Sequence, residues 1–136
     1  MRKGETMVDR YLFKAKSLEN DKWENGYFVK NQGWEYIVKP LENGQFDFIT
    51  VNPNTVCQCT GLKDKNGNLI WENDIVNCLA EKCCGYIGWN ESEAGFCFNV
   101  LLEDGRFEEE CIYDYQDCIE VIGNIFDNSE LLESEG

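Results

Sequence analysis

Apolar and polar residues alternate with a period of two along most of the chain, which is the pattern of half-buried β-strands. In the segment 33–39 (GWEYIVK), Trp34, Tyr36 and Val38 share one side and charged residues take the other. Similar alternation predicts further strands over 10–16, 23–30, 46–51, 74–79, 84–89, 95–102, 106–113 and 118–126. Short strands at regular spacing predict a mainly β, barrel-like fold.

Asn-Gly and Asp-Gly pairs separate these strands, and such pairs favour the tight turns of β-hairpins. The clearest are Asn66-Gly67 and Asp104-Gly105. Helical structure is predicted only as a turn at 113–117 and a short helix over 129–133, capped by Asn128 or Ser129.

A chain of 136 residues with 43% hydrophobic side chains forms one domain, or two small lobes with a common core. It has no apolar run near the roughly 20 residues of a membrane-spanning helix, and residues 1–10 do not resemble a secretory signal. The absence of histidine excludes serine–histidine and cysteine–histidine catalysis, and zinc sites built with imidazole.

The net charge of −14 is unevenly distributed, with +2 over residues 1–40 and −16 over residues 41–136. Such a field repels phosphate backbones and anionic membranes, so neither nucleic acid nor membrane is an expected partner. The acidity serves solubility or provides a docking face for a basic partner. Glu108 and Glu110 would belong to that face, whereas Glu109 points away from them in a strand; the triple is most simply explained as a solvated edge strand.

Eight cysteines occur at positions 57, 59, 78, 83, 84, 97, 111 and 118. Without an export signal we expect reduced thiols in the cytoplasm, with Cys97 and Cys118 serving as small buried hydrophobes. Cys57-Gln58-Cys59 and Cys83-Cys84 lack the spacing of a structural zinc site. No metal or other cofactor is therefore expected.

Two long runs carry a family resemblance. Residues 57–67 (CQCTGLKDKNG), followed by 70–76 (IWENDIV), closely resemble the QYTGLKDKNG and EGDIV signature of the YopX family. The opening segment RYLFKAKSLENDKWENGYFV and the closing segment EVIGNIFDNSELL resemble the two ends of that family's pattern. Departures are Cys59 for an aromatic, Asn73 for glycine and Ser129 for proline.

The resemblance implies an accessory protein of a bacteriophage or prophage, located in the cytoplasm of the host bacterium. It implies no reaction and no catalytic residue.

The TGLKDKNG segment also has a physical interpretation. Gly61 lets the chain leave a strand, Lys63 to Gly67 form a tight polar reversal, and Asp74 accepts backbone N–H groups before the next strand. We expect a hinge between an N-terminal β-hairpin or small sheet lobe (1–68) and a C-terminal small barrel of the Src-homology type (69–126), followed by a short helix and tail (127–136). The alternative is that Lys63, Asp64 or Asp74 contacts a ligand.

The leading functional hypothesis is a non-catalytic module that binds a host or phage protein. Its expected contact surface is an open sheet edge, or Trp34 and Tyr36 in the N-terminal lobe, which would equally serve self-association. Alternatively, Trp34 packs against the C-terminal barrel and completes a core. Two other functions stay open: an acidic mimic of nucleic acid, and a metal-dependent hydrolase or nuclease that uses Asp64, Glu72 and Asp74.

Overall fold

The computed structural model describes residues 10–133. Strands make up 54% of these residues and form two antiparallel sheets, which confirms the mainly β fold. The chain divides into two compact units, an N-terminal unit (1–61) and a C-terminal unit (62–136). The strands are β1 (Phe13–Lys16), β2 (Trp23–Asn31), β3 (Trp34–Pro40), β4 (Phe46–Thr50), β5 (Cys57–Lys63), β6 (Leu69–Trp71), β7 (Asp74–Cys78), β8 (Cys83–Asn90), β9 (Gly95–Leu101), β10 (Phe107–Cys111) and β11 (Glu120–Asn124).

The first sheet has the strand order β4-β3-β2-β1-β5-β6, and its first four strands form a meander. One face carries the apolar core of the N-terminal unit, in which Ala15, Ile37 and Val51 are buried. Phe13 and Ile49 pack against them. Because side chains alternate across a strand, every second residue of these strands must lie on the opposite face.

The second sheet has the order β10-β9-β8-β7-β11 and belongs to the C-terminal unit. Its core is larger: Phe98 and Ile87 face each other across β8 and β9 and are fully buried. The other buried members of this core are Ile70, Val76, Cys78, Ile112 and Ile119. The ring of Tyr115 packs edge-on against Phe98, with 5.0 Å between the ring centroids.

The predicted barrel of the Src-homology type is not found. Within residues 10–133 the second sheet stays open, with β10 and β11 as its edge strands. Closing it would require these two edges to pair. The pairing of β11 shifts at a bulge between Val121 and Gly123, and β10 carries three consecutive glutamates; both features oppose edge pairing.

The predicted C-terminal helix is not confirmed either. Ser129–Leu132 form a single 3-10 turn of four residues. The side chain of Asn128 does not cap this turn, because its Oδ1 atom accepts the backbone N–H of Asn124 instead (3.1 Å). A helix this short has too few internal hydrogen bonds to form a regular α-helical segment. In the described residues no helix is long and apolar enough to cross a membrane.

The strands β8 and β9 approach each other closely at Gly85. A Cβ atom added there would lie 1.9 Å from the carbonyl oxygen of Asn99. Glycine inside a strand commonly marks such a close backbone approach. The packing of this strand pair therefore requires a residue without a side chain at position 85.

The expectation that all cysteines are free thiols is wrong for one pair. Cys78 and Cys118 form a disulfide, with their Cα atoms 5.3 Å apart and a sequence separation of 40. Cys78 ends β7 and is buried, whereas Cys118 immediately precedes Ile119 near the start of β11. The bond therefore joins a core strand to the segment that leads into an edge strand.

Candidate functional site

The polar reversal after β5 is a tight hairpin turn, as the sequence predicts. Contrary to the prediction that Gly61 lets the chain leave a strand, it lies inside β5, where its φ of +82° is a left-handed conformation that disfavours other residues. The N–H of Asp64 donates to the carbonyl of Asn68 (2.8 Å), and the N–H of Gly67 donates to the carbonyl of Asp64 (3.0 Å). Lys63 is exposed at the end of the strand.

Asp64 is buried at this turn, and its carboxylate accepts three backbone N–H groups. Its Oδ1 atom accepts from Asn66 and Asn68 (both 2.9 Å), and Oδ2 accepts from Val121 of β11 (3.0 Å). Burial acts to raise the pKa of Asp64, but these hydrogen bonds outweigh it and hold the pKa below its ordinary value. The carboxylate thus fastens the hairpin turn to β11.

Asp74 has a comparable role at the start of β7. It is buried, and its Oδ2 atom accepts the backbone N–H of Trp71 (2.8 Å). Trp71 itself is only 9% exposed. The carboxylate of Asp74 therefore stabilises the tight connection between β6 and β7, in agreement with the backbone-capping interpretation.

The hydrolase alternative requires several carboxylates at one point. Within residues 10–133, no three cysteine, aspartate or glutamate side chains lie close enough to hold a metal ion, so Asp64, Glu72 and Asp74 do not form such a group. The structure gives Asp64 and Asp74 hydrogen bonds to backbone N–H groups in the turns.

The glutamate triple lies on β10, an edge strand of the second sheet. Glu108 pairs with Val100 and Glu110 with Phe98, so these two carboxylates share the face that carries the core. Glu109 projects to the other face, where the side chain of Asn90 donates to it. Carboxylates divided between two faces do not form the continuous acidic row that imitation of a phosphate backbone requires.

Trp34 and Tyr36 lie on the face of the first sheet that is opposite its core. The register places Tyr27 opposite Val38, Val29 opposite Tyr36 and Phe48 opposite Val38. We call this surface the aromatic face; it comprises Tyr27, Val29, Trp34, Tyr36, Phe46 and Phe48.

The aromatic face is largely open to solvent. Trp34 is 55% exposed, and Phe46 and Phe48 are each 57% exposed. The ring of Tyr36 is half-buried and packs edge-on against Phe48, with 6.0 Å between the centroids. Contiguous apolar surface of this kind is typical of a protein-interaction site.

Phe46, Phe48 and Tyr27 were not among the residues that the sequence indicates as functional. The signal was present in part, because Phe46 and Phe48 alternate with Asp47 and so share one side of β4. Alternation identifies the residues that share a face, but it does not tell which of two apolar faces is covered. Only the sheet register places all three on the face of Trp34 and Tyr36, with Phe48 in ring contact with Tyr36.

Three free cysteines of the second sheet are partly or fully buried, and none has the features of a nucleophile. Burial raises the pKa of Cys83, Cys84 and Cys97. Nearby carboxylates raise it further, Glu81 at Cys83 and Glu109 at Cys97. A raised pKa keeps the thiol protonated at neutral pH and lowers its reactivity.

The charge is divided sharply between the units. The sequence over 62–136 holds four Lys or Arg and eighteen Asp or Glu, a net charge of −14, whereas residues 1–61 hold eight of each and are neutral. The aromatic face therefore lies on the unit without net charge.

The fold and this surface define a two-unit, antiparallel β protein with an exposed aromatic sheet face and an acidic second unit. The family described as YopX protein matches residues 3–133, nearly the whole chain, and the protein belongs to that family. A comparison with curated proteins found no match.

Proposed function

We propose that this protein is a non-catalytic module that binds another protein through the aromatic face of its N-terminal unit. The observation that carries the proposal is the exposure of Trp34, Phe46 and Phe48 on neighbouring strands. Tryptophan and tyrosine supply much of the binding energy in protein interfaces, because they bury large areas with few rotatable bonds. The proposed partner is a phage or host protein in the bacterial cytoplasm, as the family resemblance implies.

The surface is better suited to protein than to single-stranded nucleic acid, although exposed aromatics also stack on bases. A nucleic-acid site adds unpaired cations that follow the phosphate backbone. Here the ammonium groups of Lys14 and Lys16 lie over the ring of Trp23, 4.8 and 5.5 Å from its centroid. Lys16 also lies 4.0 Å from Asp21, and the unit as a whole is neutral.

The test is direct measurement of binding with matched surface variants. Proteins captured from a bacterial lysate are identified and purified, and their affinities are measured by titration calorimetry. The double variant Tyr27→Ser/Trp34→Ser should bind at least about tenfold more weakly. Its free energy of unfolding should change little, because both side chains are exposed.

The control is Tyr113→Ser, which removes an aromatic that is 69% exposed on the C-terminal unit. It should bind like the wild type. Equal weakening by both variants would refute a site on the aromatic face. Saturable binding of a thymidine oligonucleotide, lost in the double variant, would assign the face to nucleic acid instead.

A further inference from the structure

The strand β4 forms one edge of the first sheet and pairs with β3, and directly after it Val51 forms an isolated antiparallel bridge with Ser17. Hydrogen bonds from Val51 to Glu35 (3.0 Å) and from Leu41 to Gln45 (2.8 Å) fix which residues bond across this pair. Because bonded and non-bonded pairs alternate in an antiparallel ladder, the backbone groups of 46, 48 and 50 point outward from the sheet. Pro40 lies opposite Phe46 in a non-bonded pair, so its lack of an N–H costs this strand pair no hydrogen bond.

The outward positions are open over most of the strand. The carbonyl of Thr50 accepts the N–H of Leu18 (3.0 Å), which closes one end of the edge. Within residues 10–133, the outward N–H and C=O groups of Phe46 and Phe48 have no backbone partner. These two residues therefore offer the ladder positions that another strand would need.

The edges of the second sheet are protected, in contrast to β4. The edge strand β10 carries Glu108 to Glu110, and β11 has a bulge and is covered by hydrogen bonds from Val121 to Asp64 and from Lys65 to Ile119. Charges, bulges and covering loops are the usual protection of edges against pairing. The strand β4 has neither a lysine nor a bulge, and its only charge is Asp47.

A groove of about 310 Å³ lies beside β4, between it and the turn at 17–20. Its lining residues include the acidic Glu19, Glu24 and Asp47 and no lysine or arginine. Glu24 is paired with Lys39 (2.7 Å), and the groove keeps an excess of negative charge. Asp47 lies on the face opposite Phe46 and Phe48, so the two sides of this edge differ in chemistry.

We infer that β4 accepts an extended segment of the partner as an additional strand, with basic side chains alternating with apolar ones. The apolar side chains would extend the aromatic face beside Phe46 and Phe48, and the lysines or arginines would lie against Asp47 and the groove. Backbone hydrogen bonds would supply affinity, and the alternating side chains would supply specificity. This inference rests on the proposed function and names the chemistry of its partner.

A second copy of the chain is a poorer occupant of the edge. Each copy has a net charge of −14, and a paired β4 would bring a second acidic groove rather than the basic side chains that the groove favours. A basic segment has the opposite charge to the groove and to the whole chain.

The probe is a capped nine-residue peptide of alternating valine and lysine, titrated into isotope-labelled protein and followed by NMR. The amide signals of Phe46 and Phe48 should shift, and hydrogen exchange at their N–H groups should slow. The matching peptide of valine and glutamate should bind more than tenfold more weakly. Equal binding of both peptides, shifts confined to the C-terminal unit, or dimerisation through β4 without peptide would overturn the inference.

Two N-methylated forms of the peptide test the backbone bonds. A strand paired along one edge uses the N–H groups of alternate residues only. Methylation of one alternate set should therefore abolish binding, and methylation of the other should have little effect. Loss of binding with both methylated peptides, or with neither of them, would contradict strand addition.

Charge reversal tests the groove. Glu19→Lys/Asp47→Lys should weaken binding of the lysine peptide about tenfold. The control Glu93→Lys/Glu103→Lys changes the net charge equally at exposed sites of the C-terminal unit and should leave binding unchanged. An equal loss of peptide affinity in both charge-reversal variants would refute a binding site at the groove.

Different results would refute strand addition at β4 and protein binding by the aromatic face. A captured partner that depends on Tyr27 and Trp34 but binds Glu19→Lys/Asp47→Lys normally would refute strand addition and leave the proposed function intact. A partner insensitive to the Tyr27→Ser/Trp34→Ser variant would refute the proposed function itself.

Discussion

At the scale of single residues, buried carboxylates of this protein organise turns. Asp64 has three backbone donors, and Asp74 accepts the N–H of the buried Trp71. An aspartate reaches nearby backbone groups with little loss of side-chain freedom, because its side chain is short. The polarity of the 63–67 segment thus reflects its local backbone geometry.

Loss of the Asp64 carboxylate should destabilise the fold in a pH-dependent manner. Asp64→Asn should lower the free energy of unfolding at pH 7 by about 1–3 kcal/mol, because one carboxylate oxygen is replaced by a donor facing backbone N–H groups. The folded-state pKa of Asp64 is lowered, so its stabilisation is present above the unfolded pKa of about 3.9 and is lost as the pH falls through the folded value. The stability difference should therefore shrink below about pH 4 in urea titrations.

The control is Asp117→Asn, which removes the same charge at an exposed position. It should change the stability at pH 7 by less than about 0.5 kcal/mol. A stability difference for Asp64→Asn that is constant from pH 7 to pH 3 would show that the ionised carboxylate is not the stabilising group.

At the scale of elements, the central pair β8 and β9 depends on close approach of the two backbones. Phe98 and Ile87 are fully buried on one side of this pair, and Gly85 lies opposite Val100. The clash at position 85 would involve a main-chain carbonyl rather than a flexible side chain. Relief would therefore require the two strands to separate.

Gly85→Ala should lower the free energy of unfolding by about 2–3 kcal/mol, since even one added methyl group strains a packed core. The matched control is Gly95→Ala on the partner strand, where the nearest atom to an added Cβ is 3.8 Å away. Chemical denaturation of both variants gives the comparison. If Gly85→Ala were as stable as Gly95→Ala, the close approach at Asn99 would be disproved.

At the scale of the whole molecule, a covalent link makes the stability dependent on redox conditions. The disulfide between Cys78 and Cys118 closes a loop of about 40 residues in the C-terminal unit. Such a link stabilises the fold mainly by restricting the unfolded chain. A reducing environment would open it and leave two thiols in place of the bond.

Reduction of this bond should lower the free energy of unfolding by about 2–4 kcal/mol. Urea titrations with and without a phosphine reductant measure the change, and peptide mapping by mass spectrometry identifies the bond. Cys118→Ala should be insensitive to reductant, whereas the exposed Cys111→Ala should behave like the wild type. A wild type that is indifferent to reductant would refute a stabilising bond.

The strands and turns could be predicted from the sequence because their signals are local. The alternation of 33–39 and the pair Asn66-Gly67 need no information beyond a few neighbouring residues. Whether the second sheet closes into a barrel depends on pairing between distant strands, and the predicted barrel is not confirmed. The bond between Cys78 and Cys118 joins residues far apart in sequence, so it too was missed.

At the candidate site, too, contacts between residues far apart in sequence could not be predicted. Trp34 and Tyr36 were identified from alternation on one strand, but alternation left open whether Trp34 is buried in a core or exposed. Phe46 and Phe48 join them only through the register of β3 and β4. Asp64 was recognised as a turn residue, whereas its bond to Val121, 57 residues away, is a property of the folded chain.

The confinement of the net charge to residues 62–136 has a consequence for how the protein adsorbs. A cationic support attracts the C-terminal unit and exerts no net pull on the neutral N-terminal unit. On an anion-exchange resin or a positively charged sensor chip, the molecules should therefore attach with a common orientation. The contact with the support would be made by the acidic C-terminal unit.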